Sequence, residues 1–238
     1  MKGTGVLRKK AKKKDGKNTL KLVIFDFDGT LVDSVPSIQK TANQIANAYG
    51  FRKVSRKKVE MSVGAGLNKF LEWVFGSEMQ KYSIKLNDVR NMYVRLYKKN
   101  HNYKMKTFRG VKPGLRYLQK NNVKMAIISN KLKRFIKSSG KSTGITKYFG
   151  KIIGRGELPK DKPHPYPIDH MVKLAGVKKS ETLFVGDSHY DVETAKRAKV
   201  KCLYLTYGYG DRKKAKNMKP EYVSRNLLVI KEIMKKWR

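Results

Sequence analysis

The chain has 238 residues, and 56 Lys and Arg against 18 Asp and Glu give it a formal net charge of +38. One cysteine and four histidines argue against a disulfide framework, a multi-cysteine zinc or iron–sulfur site and a histidine-built metal centre. No apolar run approaches the roughly 20 residues of a membrane span, and residues 1–21 lack the apolar stretch of a secretory signal. We therefore expect a soluble, cytoplasmic and very basic protein, long enough to bury a hydrophobic core.

The chain begins with a basic segment, in which eight Lys and Arg face only Asp15 over residues 1–19. The segment carries a net charge of +7 and shows no apolar periodicity, which predicts a disordered basic arm. One interpretation is a contact with nucleic acid or another polyanion, and the other is a solvated tail. We favour the tail, because a charge run alone carries little specificity.

After the arm, short runs of β-branched and aromatic residues predict strands that are buried on both faces. Helical patterns alternate with these runs, which predicts an α/β fold with a doubly wound (Rossmann-like) parallel sheet core. Right-handed crossovers would bring the carboxyl ends of all strands to one ligand-binding edge. The predicted strands are 20–25, 123–129, 151–154, 182–186 and 201–205, and the helices between the later strands are 114–121, 167–175 and 191–198.

One interval interrupts the alternation, because residues 35–108 contain no strand-like run. Apolar residues three and four apart predict amphipathic helices over 38–49, 57–62, 68–75 and 87–100. These helices predict an all-helical domain that is inserted after the first strand. The expected organisation is an arm over 1–19, a core formed by 20–35 and 109–238, and a helical insertion over 36–108.

The first candidate constellation, Asp26-Phe27-Asp28-Gly29-Thr30, follows the first predicted strand. Carboxylates at positions i and i+2 of a strand point to the same face, about 7 Å apart at their Cα atoms. Two unpaired carboxylates there would repel each other and be costly to desolvate, and a divalent cation would remove that penalty. Gly29 allows a sharp turn directly after the strand. An ordinary strand end with a cap is the alternative interpretation.

The second constellation lies in segment 183–191, where another buried apolar run ends in Asp187 and Asp191 follows four residues later. Asp187 occupies the point where the strand gives way to a turn, and Asp191 the point where the next helix is predicted to start. Asp191 is therefore either a helix N-cap or a member of the site, and the two roles are compatible.

Two further elements suit a phosphate group. Ser129-Asn130-Lys131 lies at the end of the predicted strand 123–129, where a hydroxyl and free backbone N–H groups can bind phosphate oxygens. Ser129 and Asn130 are also ordinary cap residues. Lys162 precedes Pro163 in Lys162-Pro163-His164-Pro165. Prolines stiffen a loop, and a stiff loop can hold one ammonium group in a fixed place.

Together these motifs resemble those of the haloacid dehalogenase-like phosphohydrolases: Asp-x-Asp-Gly-Thr at 26–30, Ser129, Lys162 and Gly-Asp-Ser-x-x-Asp at 186–191. The resemblance covers residues 20–210, including the helical insertion where that family places a cap domain. It is closest to the phosphoglycolate phosphatase-like branch, because segments 108–115, 162–165 and 205–210 look like that branch. The basic arm and the net charge of +38 are not part of the family pattern.

The resemblance implies a nucleophile, an acid/base and a metal site. Asp26 would attack phosphorus to give an aspartyl-phosphate, and Asp28 would protonate the leaving alcohol and then activate water. Asp26, the main-chain carbonyl of Asp28 and Asp187 would hold Mg²⁺. Asp191 would orient Asp187 or a metal-bound water.

The resemblance also implies that Ser129, Asn130 and Lys162 hold the phosphoryl oxygens of the substrate. In the insertion, Gly64 and Gly66 precede a predicted helix and are candidates to contact the anionic end of the substrate. A hinge or a plain turn is the alternative interpretation of these glycines.

The predicted function is a Mg²⁺-dependent phosphomonoesterase for a small organic phosphate, with 2-phosphoglycolate as the best single candidate. The alternatives are a phosphatase that its basic surface recruits to nucleic acid, a phosphosugar phosphatase or mutase, and a non-enzymatic RNA-binding protein on the same scaffold. Every motif carboxylate is present, which argues against the last. Without the +7 of the arm the chain still carries +31, so the charge is diffuse and predicts weak, non-specific nucleic-acid binding. We expect a monomer or a homodimer without membrane contact.

Overall fold

The computed structural model describes residues 19–237, so the predicted arm lies outside the described residues apart from Thr19. The strands in chain order are β1 (Leu22–Phe25), β2 (Val32–Asp33), β3 (Lys106–Thr107), β4 (Lys124–Ile128), β5 (Lys151–Ile153), β6 (Thr182–Gly186), β7 (Lys201–Leu205) and β8 (Tyr222–Ser224). The α-helices are α1 (Val35–Tyr49), α2 (Arg56–Ser62), α3 (Leu67–Lys81), α4 (Leu86–Asn100), α5 (Val111–Lys120), α6 (Lys133–Ser142), α7 (Tyr166–Ala175), α8 (His189–Ala198), α9 (Arg212–Asn217) and α10 (Ile230–Lys235).

Six strands in the described part of the chain form a parallel sheet in the order β5-β4-β1-β6-β7-β8. Helices α5, α6 and α10 contribute to the apolar cluster on one face, and α7, α8 and α9 to the cluster on the other. The predicted α/β, doubly wound parallel sheet is therefore confirmed. The order places β1 in the middle, between β4 and β6.

The continuous apolar run of β1 reflects burial on both faces. Val23 and Phe25 belong to one apolar cluster, whereas Leu22 and Ile24 belong to the other, and all four are almost completely buried. Alternate side chains of a strand point to opposite faces, so a strand covered on both sides needs apolar residues at every position.

Several elements differ from the sequence-based expectation. Helix α5 begins at Val111 rather than at residue 114, because Gly110 adopts a left-handed conformation before it and Pro113 is tolerated in the first turn. The expectation of no strand between 35 and 108 was wrong, since β3 pairs with β2 as a short antiparallel ribbon. Helices α6, α9 and α10 and strand β8 were not predicted, because they are short or carry few apolar residues.

Helices α1 to α4, which we call the helical cap, build a separate apolar cluster. Helix α1 carries a proline in its first turn and ends at Gly50 in the left-handed conformation, which is a common way for a helix to stop. Side chains such as Ile45, Phe75 and Val89 are buried inside this cluster. The ribbon of β2 and β3 lies where the chain leaves the sheet region and returns, so the cap stands beside the ends of the central strands.

Among residues 19–237, no helix has the length and apolar character needed to cross a lipid bilayer.

Candidate active site

The residues singled out from the sequence lie at the carboxyl edge of the three central strands. Asp26 directly follows β1, Ser129 directly follows β4, and Asp187 directly follows β6. Because β4, β1 and β6 are neighbours and parallel, their ends deliver these three side chains to one place.

The ammonium of Lys162 joins two of the carboxylates. Its Nζ lies 3.0 Å from Oδ1 of Asp26 and 2.6 Å from Oδ1 of Asp191, and all three side chains are buried. Burial raises the pKa of Asp26 to about 6, although Lys162 opposes the shift. Burial alone would lower the pKa of Lys162, but Asp191 and Asp26 outweigh it and raise that pKa above its usual range. The lysine therefore remains charged.

Asp191 lies inside helix α8 rather than at its N-cap. The N-cap is Ser188, and Asp191 is the third helical residue, whose Oδ2 accepts hydrogen bonds from the backbone N–H and hydroxyl of Ser188 and from the N–H of Asp187. The predicted N-cap was wrong by one turn, because a serine with an acid three residues later forms a reciprocal capping arrangement. Asp191 thus orients the backbone of Asp187 with one oxygen and Lys162 with the other.

Asp187 is held in a tight cradle. Its Oδ1 accepts a hydrogen bond from the Thr30 hydroxyl at 2.5 Å, and its Oδ2 accepts one from the Tyr209 N–H at 2.6 Å. A Cβ at either Gly29 or Gly208 would overlap the carboxylate, so only glycine allows this approach. Burial raises the pKa of Asp187 well above its ordinary value, and Asp191 and Asp26 add to the shift.

Asp28 forms a second, separate ion pair. Lys131 Nζ lies 2.8 Å from its Oδ1 and 3.1 Å from its Oδ2, and donates to Tyr97 of helix α4 at 2.7 Å. β1 ends at Phe25, so Asp26 and Asp28 lie in the turn after the strand rather than in the strand, and both line the same pocket. The two carboxylates do not share one lysine. Each carboxylate instead has its own lysine.

This arrangement fits a divalent cation. Carboxylate oxygens of Asp26, Asp187 and Asp191 lie within 4.8 Å of one another. Oδ1 of Asp26 is buried against the Lys162 ammonium at 3.0 Å, and a carboxylate oxygen that contacts an ammonium still has a lone pair for a metal. The site contains the carboxylates of Asp26, Asp28, Asp187 and Asp191 and the ammonium groups of Lys131 and Lys162. When all four carboxylates are ionised the net charge is −2, which one divalent cation would neutralise. Oxygen donors of this kind suit Mg²⁺.

Ser129 and Asn130 lie together but contact different groups. The hydroxyl of Ser129 lines the pocket and accepts a long hydrogen bond of 3.4 Å from the Lys131 N–H. The side-chain amide of Asn130 donates to the carbonyls of Gly64 and Lys162, at 2.9 and 3.0 Å. Both protons of the Asn130 amide therefore bridge the cap and the loop that contains Lys162. A contact between Asn130 and a phosphate would then come from its backbone N–H.

The site opens into a pocket of about 350 Å³ between the sheet edge and the helical cap. Gly64 and Gly66 line it from the cap, and Gly66, with a φ of 91°, is the N-cap of helix α3. The guanidinium of Arg155 lies against Gly66, whose positive φ favours glycine. Arg90 of α4 also lines the pocket.

Sequence reasoning assigned no role to four residues of this site: Lys131, Tyr97, Arg155 and Arg90. Lys131 belongs to the Ser129-Asn130-Lys131 element, and this position is the signal that could have given it a role. Tyr97 and the two arginines have no such signal, because they reach the pocket only through the packing of the cap and of the loop after β5.

Comparisons with known proteins agree with this geometry. A family model described as haloacid dehalogenase-like hydrolase matches residues 23–205. The chain belongs to this family. The predicted resemblance and the predicted enzyme class, a phosphatase, are confirmed by this match and by similar proteins with related activities.

Among the similar proteins, phosphoglycolate phosphatase 1 of Pseudomonas aeruginosa is 33% identical over 210 residues, covering 87% of this chain and 77% of the relative. Phosphoglycolate phosphatase of Vibrio parahaemolyticus is 31% identical over 219 residues, covering 90% and 96% of the two chains. The crystal structure of a predicted phosphoglycolate phosphatase from Haemophilus somnus shares 25% identity with a TM-score of 0.85, over 90% of this chain and 97% of that one. A predicted phosphatase from Clostridium acetobutylicum, 23% identical over 92% and 98% of the chains with a TM-score of 0.72, shares the fold.

Proposed function

We propose that the protein is a Mg²⁺-dependent phosphomonoesterase that hydrolyses 2-phosphoglycolate through an aspartyl-phosphate. The observation that carries the proposal is the meeting of Asp26, Asp28 and Lys162 at the central strand ends, beside a small pocket. The phosphoglycolate phosphatase relatives support the choice of substrate.

In the first step, the carboxylate of Asp26 forms a bond to phosphorus, and the bond from phosphorus to the alcohol oxygen breaks. A protonated Asp28 gives its proton to that departing oxygen. In the second step, Asp28 takes a proton from water, the oxygen of that water bonds to phosphorus, and Asp26 is released. Asp26 must be ionised at the start, which its pKa of about 6 allows at neutral pH.

The charge of the phosphate must be neutralised for an anionic nucleophile to approach it. Lys162 lies 3.0 Å from the attacking carboxylate and supplies one positive charge, while the Ser129 hydroxyl and the neighbouring N–H groups are candidates to bind phosphoryl oxygens. Asp26, the main-chain carbonyl of Asp28 and Asp187 would hold Mg²⁺, which supplies further positive charge when bound.

The pocket supports a small substrate with a second anionic group. Its volume of about 350 Å³ suits a short molecule, and Arg90 and Arg155 line the end formed by the cap. We propose that Gly64 and Gly66 let the substrate approach the cap closely. We further propose a monomer or homodimer that acts in the cytoplasm and binds nucleic acid only weakly, through its diffuse charge.

A screen of phosphorylated metabolites with Mg²⁺ and with a chelator tests the proposal. We expect the highest kcat/KM for 2-phosphoglycolate and no turnover with the chelator. Preference for a phosphosugar would replace the substrate assignment, and undiminished turnover with the chelator would contradict the metal assignment. Preference for a phosphorylated polynucleotide end, with binding that persists at high salt, would favour recruitment to nucleic acid instead.

A further inference from the structure

A chain of polar contacts connects the helical cap to Asp28. The Tyr97 hydroxyl on α4 lies 3.4 Å from the Ser37 hydroxyl on α1 and accepts a hydrogen bond from Lys131 at 2.7 Å. Lys131 in turn donates to both carboxylate oxygens of Asp28, at 2.8 and 3.1 Å. Two cap helices are therefore linked through one lysine to the residue that we propose as the acid and base.

The chain lies in a protected place. The side chains of Lys131 and Asp28 are only 7% and 13% exposed, and the ring of Tyr97 is buried. Solvent screening is weak there, so the attraction within the pair is much stronger than at the surface. An ammonium that contacts both oxygens also restricts rotation of the carboxylate about its last torsion.

We propose that Lys131 and Tyr97 are positioning residues that hold the Asp28 carboxylate toward the reacting oxygen, so that the packing of the cap orients the acid/base of the core. This rests on the proposed role of Asp28. Proton transfer needs the two heavy atoms within hydrogen-bond reach, and a small misplacement of a reacting group is costly in rate.

The contacts suit the ionised form of Asp28, which exists between the two steps. When Asp28 gives its proton to the departing alcohol, it becomes a carboxylate whose two oxygens accept from Lys131. The carboxylate then receives a proton from water in the second step and returns to its starting state. Lys131 keeps its own protons throughout, which distinguishes it from a catalytic acid.

Leaving-group dependence separates this role from a purely structural one. An alkyl phosphate such as 2-phosphoglycolate needs a proton on its departing oxygen, whereas p-nitrophenolate departs as a stable anion. A variant with a misplaced Asp28 should therefore lose the first step with the alkyl ester but keep it with p-nitrophenyl phosphate. It should then release a burst of nitrophenolate near one equivalent per enzyme, because only the second step is slow.

The experiment uses the full chain with Mg²⁺ and compares Lys131→Met, Asp28→Asn and the double variant. Steady-state assays with 2-phosphoglycolate give the alkyl-ester rate and KM, and pre-steady-state assays with p-nitrophenyl phosphate in excess over enzyme show any burst. Lys133→Met is the matched control, since Lys133 is half-exposed and pairs with Glu157 at a distance from Asp28. We expect Lys131→Met to lower the alkyl-ester rate by about ten- to a hundredfold with little change in KM. We expect the double variant to be no slower than Asp28→Asn, and both single variants to show the burst.

Tyr97→Phe keeps the ring and removes only the hydroxyl, so it tests the positioning role if Lys131→Met fails to fold. We expect an alkyl-ester rate lowered about three- to tenfold, again without further loss beside Asp28→Asn. The positioning role would be overturned if a double variant lost the product of the losses of its two single variants, or if Lys131→Met behaved like Lys133→Met. Either result would leave the proposed acid/base role of Asp28 intact. Wild-type turnover by Asp28→Asn would refute the proposed acid/base, and the positioning role with it.

Discussion

The two sides of the pocket are built differently. The floor is lined by Asp26, Asp28 and Ser129, and Lys162 and Asp187 lie beside Asp26 beneath that lining. These five residues lie in or near the loops that follow the strands and are largely buried. The roof consists of the residues that α3, α4 and the loop after β5 bring to the pocket, among which Arg90 is exposed and Arg155 half-buried. The floor holds the groups for bond breaking, whereas the roof holds cationic groups that can select a substrate.

The floor also carries an energetic cost that the roof does not. Burial raises the pKa values of Asp26 and Asp187, which means that the fold disfavours their ionised forms. Arg155 is only half-buried and pairs with Asp161 at 3.7 Å, so its charge remains partly hydrated and carries a smaller desolvation cost. The comparison shows that the charged groups proposed for bond breaking are buried, where a bound cation can neutralise them. The charged groups proposed for substrate selection lie where water already solvates them.

The largest expected effect comes from the nucleophile in the floor. Asp26→Asn keeps the shape of the side chain but removes the attacking charge, so turnover should fall by about 10⁴-fold or more with an unchanged circular dichroism spectrum. Steady-state assays with 2-phosphoglycolate and Mg²⁺ measure the loss. Substantial activity in the folded variant would refute the assignment.

Asp187→Asn should abolish Mg²⁺ binding while stabilising the metal-free fold. The unfolded pKa of an aspartate is near 3.8 and the folded pKa of Asp187 is well above it, so the folded protein binds more protons between these values. This group therefore contributes stability at low pH that is lost as the pH rises.

The stabilising effect of Asp187→Asn in chelator should consequently be larger at about pH 7.5 than at about pH 5, as measured by calorimetry. Mg²⁺ should raise the Tm of the wild type and not that of the variant. Asp28→Asn is the comparison, since its proposed metal contact is a main-chain carbonyl, and it should keep most of the Mg²⁺ affinity. Equal metal loss in both variants would contradict this division.

A change in the roof should affect binding rather than chemistry. Arg155→Ala removes a half-buried guanidinium that lines the pocket, so the KM for 2-phosphoglycolate should rise about fivefold with kcat unchanged. The KM for p-nitrophenyl phosphate, which has no second anionic group, should stay constant. A fall in kcat for both esters would mean that Arg155 acts in the chemical step rather than in substrate binding.

The smallest expected effect is that of the basic arm. Deleting residues 1–19 removes a charge of +7 and no motif residue. At physiological salt the Debye length is about 8 Å, so kcat/KM for 2-phosphoglycolate should be unchanged. RNA binding should be weak and fall steeply with salt. A large loss of activity on deletion would make the arm part of the function.

Much of the floor was predictable from the sequence because it is local in the chain. Asp26 and Asp187 each follow a buried apolar run, and a parallel sheet brings the carboxyl ends of such runs together. The helical cap was also predictable, because four amphipathic segments in succession leave no other place to bury their apolar faces. The boundary of α8 was misjudged, since a serine cap and an acid three residues later carry no apolar signal.

The sequence by itself determined which groups meet at the sheet edge, because strand direction and side-chain alternation act over a few neighbouring residues. Only the tertiary structure decided that Asp28 pairs with Lys131, that Tyr97 reaches this pair from the cap, and that Arg155 lies against Gly66. These contacts join residues of separate elements, and they form only when packing of the cap onto the sheet edge fixes distances that no local pattern encodes. The catalytic groups of the floor could therefore be predicted from the sequence, whereas the contacts between the floor and the roof could not.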